Sequence, residues 1–179
     1  MRCLLALALC ATAAAADPLP SGSLGVFTGL TSGTGADAKV VGYGLYLFGA
    51  QIAWQPMNTD RHLGWGVRWA TMFGALYNGS AAQIESTLRT VQMDFTAGVR
   101  LRPWASPSRY LTLRSGVEML RTNEPLPPAM HRAFVGAIAE VGFEHYWGPT
   151  LLDVDLRYGM IGSQPATIAL LFGIAITGP

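Results

Sequence analysis

The stretch Thr90–Trp104, TVQMDFTAGVRLRPW, alternates between apolar and polar residues as far as Arg102. Because side chains of a β-strand point alternately to two faces, the pattern predicts one long strand with an apolar face and a polar face. Such a strand fits a soluble barrel or sandwich if the apolar face lies inside. It fits a membrane barrel if the apolar face, which carries Met93, Phe95 and Val99, meets lipid and the polar face, with Asp94 and Arg100, lines the interior. The rest of the sequence distinguishes these environments.

The amino terminus has the pattern of a secretory signal peptide. It reads MRCLLALALCATAAAADPLP, in which Arg2 precedes an apolar run from Leu4 to Leu9 and small residues lead to Ala16. We therefore expect residues 1–16 to be removed and residues 17–179 to form a single barrel domain. The apolar run is far shorter than the roughly 20 residues that a spanning helix needs. Both cysteines, Cys3 and Cys10, lie in this leader, so the mature chain is expected to contain no disulfide and no thiolate metal site.

The composition favours an integral membrane protein. Without Arg2 the 12 basic residues become 11, equal to the 11 acidic residues, so no strong field is available to attract nucleic acid. Charged residues make up 13% of the chain, about half the share usual in soluble domains. No apolar run after the leader is long enough for a membrane helix. An exported chain with these properties is typical of a transmembrane β-barrel.

Turns rich in glycine and proline divide the mature chain into eight strand-like segments. An even number of strands connected in sequence order predicts an all-β, antiparallel, up-and-down transmembrane barrel. The segment AAQIESTLRTVQM, at the start of the fourth strand, is also compatible with a short helix. The expected strands are Gly22–Leu30, Lys39–Gln55, Leu63–Tyr77, Thr87–Arg102, Tyr110–Arg121, Arg132–Trp147, Leu151–Ile161 and Ala166–Thr177.

Several of these strands have large apolar residues on one face and small or charged residues on the other. The interior of an eight-stranded barrel is narrow, so the small and charged face fits inside, where opposite charges have to pair. Alternation places both signs there and predicts a plug of ion pairs, with Arg102 joining from the rim. The expected interior residues are Arg68, Asp94, Arg100, Arg114, Glu118, Glu140, Glu144, Asp153, Asp155 and Arg157.

Four of the five tryptophans fall near turns of the same parity, and therefore at one end of the expected barrel. The amphipathic indole ring prefers the boundary between lipid and water, so this clustering predicts a belt at one membrane interface. It also indicates that the apolar faces meet lipid. The expected belt consists of Trp54, Trp65, Trp104, Tyr110 and Trp147.

With these features the chain resembles the small eight-stranded outer-membrane barrels of Gram-negative bacteria, the OmpA and OmpX type. The resemblance covers essentially the whole mature chain at the level of architecture. It implies location in the cell outer membrane, both termini in the periplasm, and insertion by the barrel-assembly machinery. One departure is the sequence IAITGP at the carboxyl end, where such barrels usually end in an aromatic residue.

Catalytic and cofactor motifs give no positive prediction. The sequence contains no phosphate loop, dinucleotide fingerprint or metal-ligand spacing, so no cofactor and no metal site is expected. His145 beside Glu144, and the carboxylates Glu140 and Glu144, are the residues that hydrolysis could use. An interfacial position fits His145 better, and ion pairing with the interior arginines fits the two glutamates better.

The sequence thus predicts a non-enzymatic integral outer-membrane barrel with a structural, adhesion or envelope-complex role. Expected partners are outer-membrane lipid and, further, lipopolysaccharide or another envelope protein. The loop EPLPPAM (Glu124–Met130) is the candidate partner loop, with Leu126 and Met130 at its apolar tip. Three alternatives remain open: a narrow channel for ions or small solutes, a lipid-modifying envelope hydrolase, and a soluble lipocalin-like barrel with an apolar ligand inside.

Overall fold

In the computed structural model the eight predicted strands pair in sequence order and close into an antiparallel barrel. β1 also pairs with β8, from Gly22↔Gly178 to Gly33↔Thr167, so the ladder runs around the whole barrel. The structure describes residues 22–33, 43–54, 63–80, 83–106, 108–126, 131–161 and 164–178, and the expected signal peptide lies outside them. The strands are β1 (Gly22–Gly33), β2 (Tyr43–Trp54), β3 (Leu63–Ser80), β4 (Gln83–Leu101), β5 (Arg109–Leu126), β6 (His131–Trp147), β7 (Thr150–Ile161) and β8 (Gln164–Gly178).

Two strands extend furthest beyond their predicted bounds. β4 begins at Gln83 rather than Thr87, so the alternative of a short helix there is wrong. β5 continues through Leu126, which pairs with His131, rather than ending at Arg121. In both hairpins the neighbouring strand supplies backbone hydrogen-bond partners, and this pairing prevails over local helix and turn preferences. Among the described residues there is no helix of the length and apolarity needed to cross a membrane.

The barrel has two unlike ends. The tryptophan end holds the connections β2–β3, β4–β5 and β6–β7, together with the start of β1 and the end of β8. The opposite end, called the hairpin end below, holds the long hairpins β3–β4 and β5–β6. Strands β3 to β6 have 17 to 19 residues, whereas β1, β2 and β7 have 12. β6 pairs with β7 only from Ala137 onward, so the β5–β6 hairpin projects beyond the ladder.

The outer wall is apolar and the interior is polar. Along β4, Phe95 is 54% exposed on the outside while its neighbour Asp94 is 2% exposed on the inside. β7 alternates in the same way, with Leu156 outward and Arg157 inward. The apolar face of the segment Thr90–Trp104 is therefore the one that meets lipid. The transmembrane barrel predicted from the sequence is confirmed. The lipocalin-like alternative requires the opposite arrangement and is wrong.

Two small apolar clusters pack against the polar interior. One contains Tyr110, Tyr146, Leu151 and Ala175 and lies near the tryptophan end. The other brings Met72 and Phe27 together with Leu171 and two alanines. The polar side chains between and around these clusters form the candidate functional site.

Candidate functional site in the barrel interior and at its rims

Near the hairpin end, Arg157 of β7 binds two carboxylates on the opposite wall. Its guanidinium donates to Asp94 of β4 at 2.5 and 2.9 Å and to Glu118 of β5 at 2.5 Å. Gln92 donates to both of the same carboxylates, at 3.2 Å to Asp94 and 2.7 Å to Glu118. Because Asp94 and Glu118 are register partners on adjacent strands, Arg157 neutralises two like charges that would otherwise face each other.

In the middle of the barrel, Arg68 of β3 binds carboxylates from β6 and β7. It forms an ion pair with Glu140 and another with Asp155, the latter at 2.5 Å. Gln51 extends the group, since it accepts from Arg68 at 3.3 Å and donates to Asp153 at 3.0 Å. Among the described ion pairs none involves Asp153, so an amide rather than an arginine is the partner of this carboxylate.

Toward the tryptophan end, Glu144 of β6 binds two arginines. Arg100 donates to it at 2.6 Å and Arg114 at 2.5 Å, and Arg114 also reaches Asp155 at 3.2 Å. Arg114 thereby links this group to the middle one. The guanidinium of Arg100 also donates to the Tyr146 hydroxyl, and its carbon lies 5.1 Å from the Tyr146 ring centre, a cation–π arrangement.

These contacts fill the lumen with bonded side chains. The ten charged residues of the network are between 0% and 8% exposed. Opposite charges that are removed from water together interact strongly, and each arginine has at least one carboxylate partner here. The charged side chains therefore form a polar plug in the lumen.

Interior glycines provide the space in which the carboxylates lie. Gly142 is the register partner of Asp155, and a Cβ at that glycine would overlap the Asp155 carboxylate and the Thr112 hydroxyl. Gly173 is placed in the same way opposite Asp153. A side chain at either position would displace a member of the network, so these glycines serve close approach rather than turn formation.

The structure brings together all ten residues that alternation assigned to the interior, and Arg102 lies beside Tyr110 at the rim. Sequence reasoning missed the two glutamines, Gln51 and Gln92. The available signal for Gln92 was its parity, because it precedes Asp94 by two positions on the same strand.

The tryptophans of the expected belt lie on the outer surface at the tryptophan end. Trp54 and Trp65 are 47% and 53% exposed, with ring centres 5.1 Å apart in an edge-to-face pair. Trp104 forms a similar pair with Phe143, at 5.7 Å, and Trp147 is 77% exposed.

Tyr110 does not belong to this belt, and that assignment was wrong. Its side chain is fully buried, its ring packs edge-to-face on Tyr146 at 5.7 Å, and the Arg100 guanidinium lies over it at 4.7 Å. The reason is strand parity. Tyr110 is separated by even steps along β5 from Arg114 and Glu118, so all three point into the lumen.

The residues considered for hydrolysis lie apart. Glu144 faces the interior, where it binds Arg100 and Arg114, whereas His145 follows it on the other face of β6 and is half-buried. Glu144 therefore does not orient the imidazole, and Glu140 is occupied by Arg68. Of the candidate partner loop, Leu126 is the last residue of β5, but its side chain and all of Met130 lie outside the described residues.

Two exposed arginines at the hairpin end of the outer wall were also missed by sequence reasoning. Arg89 of β4 has the outward parity of Val91 and Met93, and Arg121 of β5 has that of Met119. Both lie at the hairpin end of the apolar surface. Their parity was the signal that could have identified them.

No protein-family model matches the sequence, and no curated protein matches it. Among solved structures the chain is similar to Ail, the attachment invasion locus protein of Yersinia pestis, in complex with the heparin analogue sucrose octasulfate. The TM-score is 0.57 at 13% identity, over 87% of this chain and 98% of Ail. It is also similar to Neisserial surface protein A, with a TM-score of 0.54 at 13% identity over 88% of this chain and 97% of that one.

A third similar structure is the N-terminal β-barrel domain of Pseudomonas aeruginosa OprF. Its TM-score is 0.52 at 10% identity, over 88% of this chain and 98% of that domain. At such identities the likeness concerns the fold. The resemblance to small eight-stranded outer-membrane barrels is confirmed at that level.

Proposed function

We propose that the protein is an integral barrel of the cell outer membrane that acts as a non-enzymatic scaffold, with a structural, adhesion or envelope-complex role. The observation that carries the proposal is the plug of buried ion pairs, because it occupies the lumen through which a solute would have to pass. An apolar outer wall around such a plug makes an anchor. The surfaces left for interaction are then the outer wall and the two ends.

The tryptophan end is proposed to face the periplasm and the hairpin end to face the cell exterior. The start of β1 and the end of β8 lie at the tryptophan end, where the β6–β7 connection consists of Gly148 and Pro149 alone. Outer-membrane barrels typically have short periplasmic turns and longer outer extensions, and the long β3–β4 and β5–β6 hairpins match the latter. Adhesion is included among the proposed roles because the fold is similar to that of Ail, an attachment invasion locus protein whose structure contains a sulfated heparin analogue.

The first test is heat-modifiability of the washed outer-membrane fraction on a detergent gel. We expect the protein in that fraction, with a mobility that changes only after boiling, because a lipid-embedded barrel resists detergent until it is heated. A soluble periplasmic protein with no mobility change would contradict the proposal.

The main competitor is a narrow channel, and planar-bilayer conductance separates the two. We expect no single-channel steps from the wild-type barrel, since the arginines and carboxylates of the plug bind one another. Defined steps whose size changes in Arg100→Ala or Glu140→Gln would overturn the scaffold proposal in favour of a channel gated by these residues.

A further inference from the structure

We propose that the outer wall at the hairpin end binds the phosphate groups of lipopolysaccharide through Arg89 and Arg121. This inference rests on the proposed function, because it requires a barrel embedded in the outer membrane. It assigns a partner to a surface of the barrel that the plug does not use.

The two arginines form a diagonal pair on adjacent strands. Val91 of β4 is the register partner of Arg121, and Arg89 lies two positions before Val91, on the same outer face and nearer the hairpin end. Its backbone amide donates to the Asn123 side chain at 2.8 Å. Diagonal neighbours on one face lie about 7–8 Å apart, so two long arginine side chains can reach one phosphate group. The amide NH₂ of Asn123 is a further donor beside them.

Their height along the barrel matches the lipid headgroups. Arg109, also exposed on the outer face of β5, lies at the tryptophan end, twelve residues before Arg121. At roughly 3.3 Å per residue and a tilt of about 40°, this separation spans about 30 Å along the membrane normal, the thickness of the hydrocarbon core. The outward residues of β5 between them are uncharged: Leu111, Leu113, Ser115, Val117 and Met119. Arg121 and Arg89 therefore lie where one leaflet meets water.

Apolar grooves lie on the outer wall beside the two arginines. One runs between β3, β4 and β5 and is lined by Phe73, Ala75 and Val91, with Arg89 and Arg121 at its edge. The next is lined by Met93, Met119 and Val135 and also reaches Arg121. A cationic edge beside apolar grooves complements an amphiphile whose phosphate lies at the surface and whose acyl chains extend into the bilayer.

Charge complementarity favours a phosphate as the anion. Among the described residues no carboxylate lies within ion-pair distance of Arg89 or Arg121, whereas the interior carboxylates have partners inside the barrel. Guanidinium groups bind phosphate oxygens in a bidentate manner. Because the hairpin end is proposed to face the cell exterior, the phosphorylated lipid in the leaflet around Arg89 and Arg121 is lipopolysaccharide.

The test measures lipopolysaccharide binding to the purified, folded barrel in the neutral detergent dodecyl maltoside. The variant is Arg89→Gln with Arg121→Gln, and the matched control is Arg109→Gln, an outward arginine at the opposite end. Heat-modifiability verifies that each variant is folded. We expect Kd to rise at least tenfold in the double variant and to stay within twofold in the control. We also expect dephosphorylated lipopolysaccharide to bind the wild type as weakly as the intact lipid binds the double variant.

Equal affinity of all three proteins for lipopolysaccharide would overturn the inference, and so would binding that does not depend on phosphate. Phosphatidylglycerol binding as tightly as lipopolysaccharide would overturn its assignment as the partner. Failure of the proposed function would give a different experimental result. A barrel that conducts ions, yet loses lipopolysaccharide when Arg89 and Arg121 are changed, would refute the scaffold and support the site.

Discussion

Replacing Arg157 by methionine tests whether the plug stabilises the barrel. Arg157 is 2% exposed and is the cation between Asp94 and Glu118. Methionine retains much of the apolar stem of arginine, and its new neighbour would include Met72, whose sulfur already lies 3.5 Å from the guanidinium. The change therefore removes charge with little loss of packing. It leaves two carboxylates opposite each other, with Gln92 as their shared donor.

We expect this substitution to lower the free energy of unfolding by about 3–5 kcal/mol, the usual cost of leaving a buried charge without its partner. The measurement is equilibrium urea unfolding of the barrel from lipid vesicles, followed by tryptophan fluorescence and by gel mobility. Both probes should give one transition, with the midpoint shifted to lower urea and a similar slope.

A triple variant provides the control. Combining Arg157→Met with Asp94→Asn and Glu118→Gln replaces the two uncompensated charges by amides that can bond to each other and to Gln92, so most of the lost stability should return. A single variant within about 0.5 kcal/mol of wild type, a difference typical of surface substitutions, would refute the reasoning. A triple variant no more stable than the single one would do the same, because the damage would then lie in packing rather than charge.

Three further changes test the outer wall, the glycines and the tryptophan end. Phe95→Arg, near the middle of the apolar band, should cost about 2–4 kcal/mol in the same unfolding assay, whereas Phe95→Leu should change little; a fully stable arginine variant would contradict the assignment of faces. Gly142→Ala should lower stability by about 1–3 kcal/mol through overlap with Asp155, seen as loss of the folded gel band at a lower temperature. In a variant whose only tryptophan is Trp147, lipids brominated near the headgroup should quench fluorescence more than lipids brominated at the chain ends, and the reverse order would place this ring away from the interface.

The fold could be predicted from the sequence because a membrane barrel leaves few choices. A strand with one face in lipid must alternate with period two, and glycine and proline mark where each strand stops. Once the outer face of a strand is known, the direction of every other side chain on it follows. For this reason alternation alone placed Arg68 and Glu140, on strands far apart in sequence, inside the same lumen.

The partners of these residues could not be predicted from the sequence. They depend on the registers around the barrel, which decide which side chains meet across the lumen, and alternation carries no information on that. Tyr110 was assigned wrongly for a different reason. Its position along the barrel axis, near the tryptophans, was predicted correctly. Its side-chain direction was not, because its parity with Arg114, which points inward, was overlooked. The strand ends at Gln83 and Leu126 were missed because pairing within a long hairpin outweighs local propensity.

The ion pairs also constrain how the chain enters the membrane. Arg157 of β7 binds Asp94 of β4, and Arg68 of β3 binds Glu140 of β6, so neither arginine finds these partners on a neighbouring strand. A single hairpin in hydrocarbon would thus lack the partners that Arg157 and Arg68 bind in the closed barrel, at a cost of several kcal/mol for each unpaired charge. Insertion of one hairpin at a time would leave these two arginines without those carboxylates in lipid. Insertion and closure of this barrel are therefore expected to occur as one cooperative event, with the charged faces shielded from lipid until the first and last strands meet.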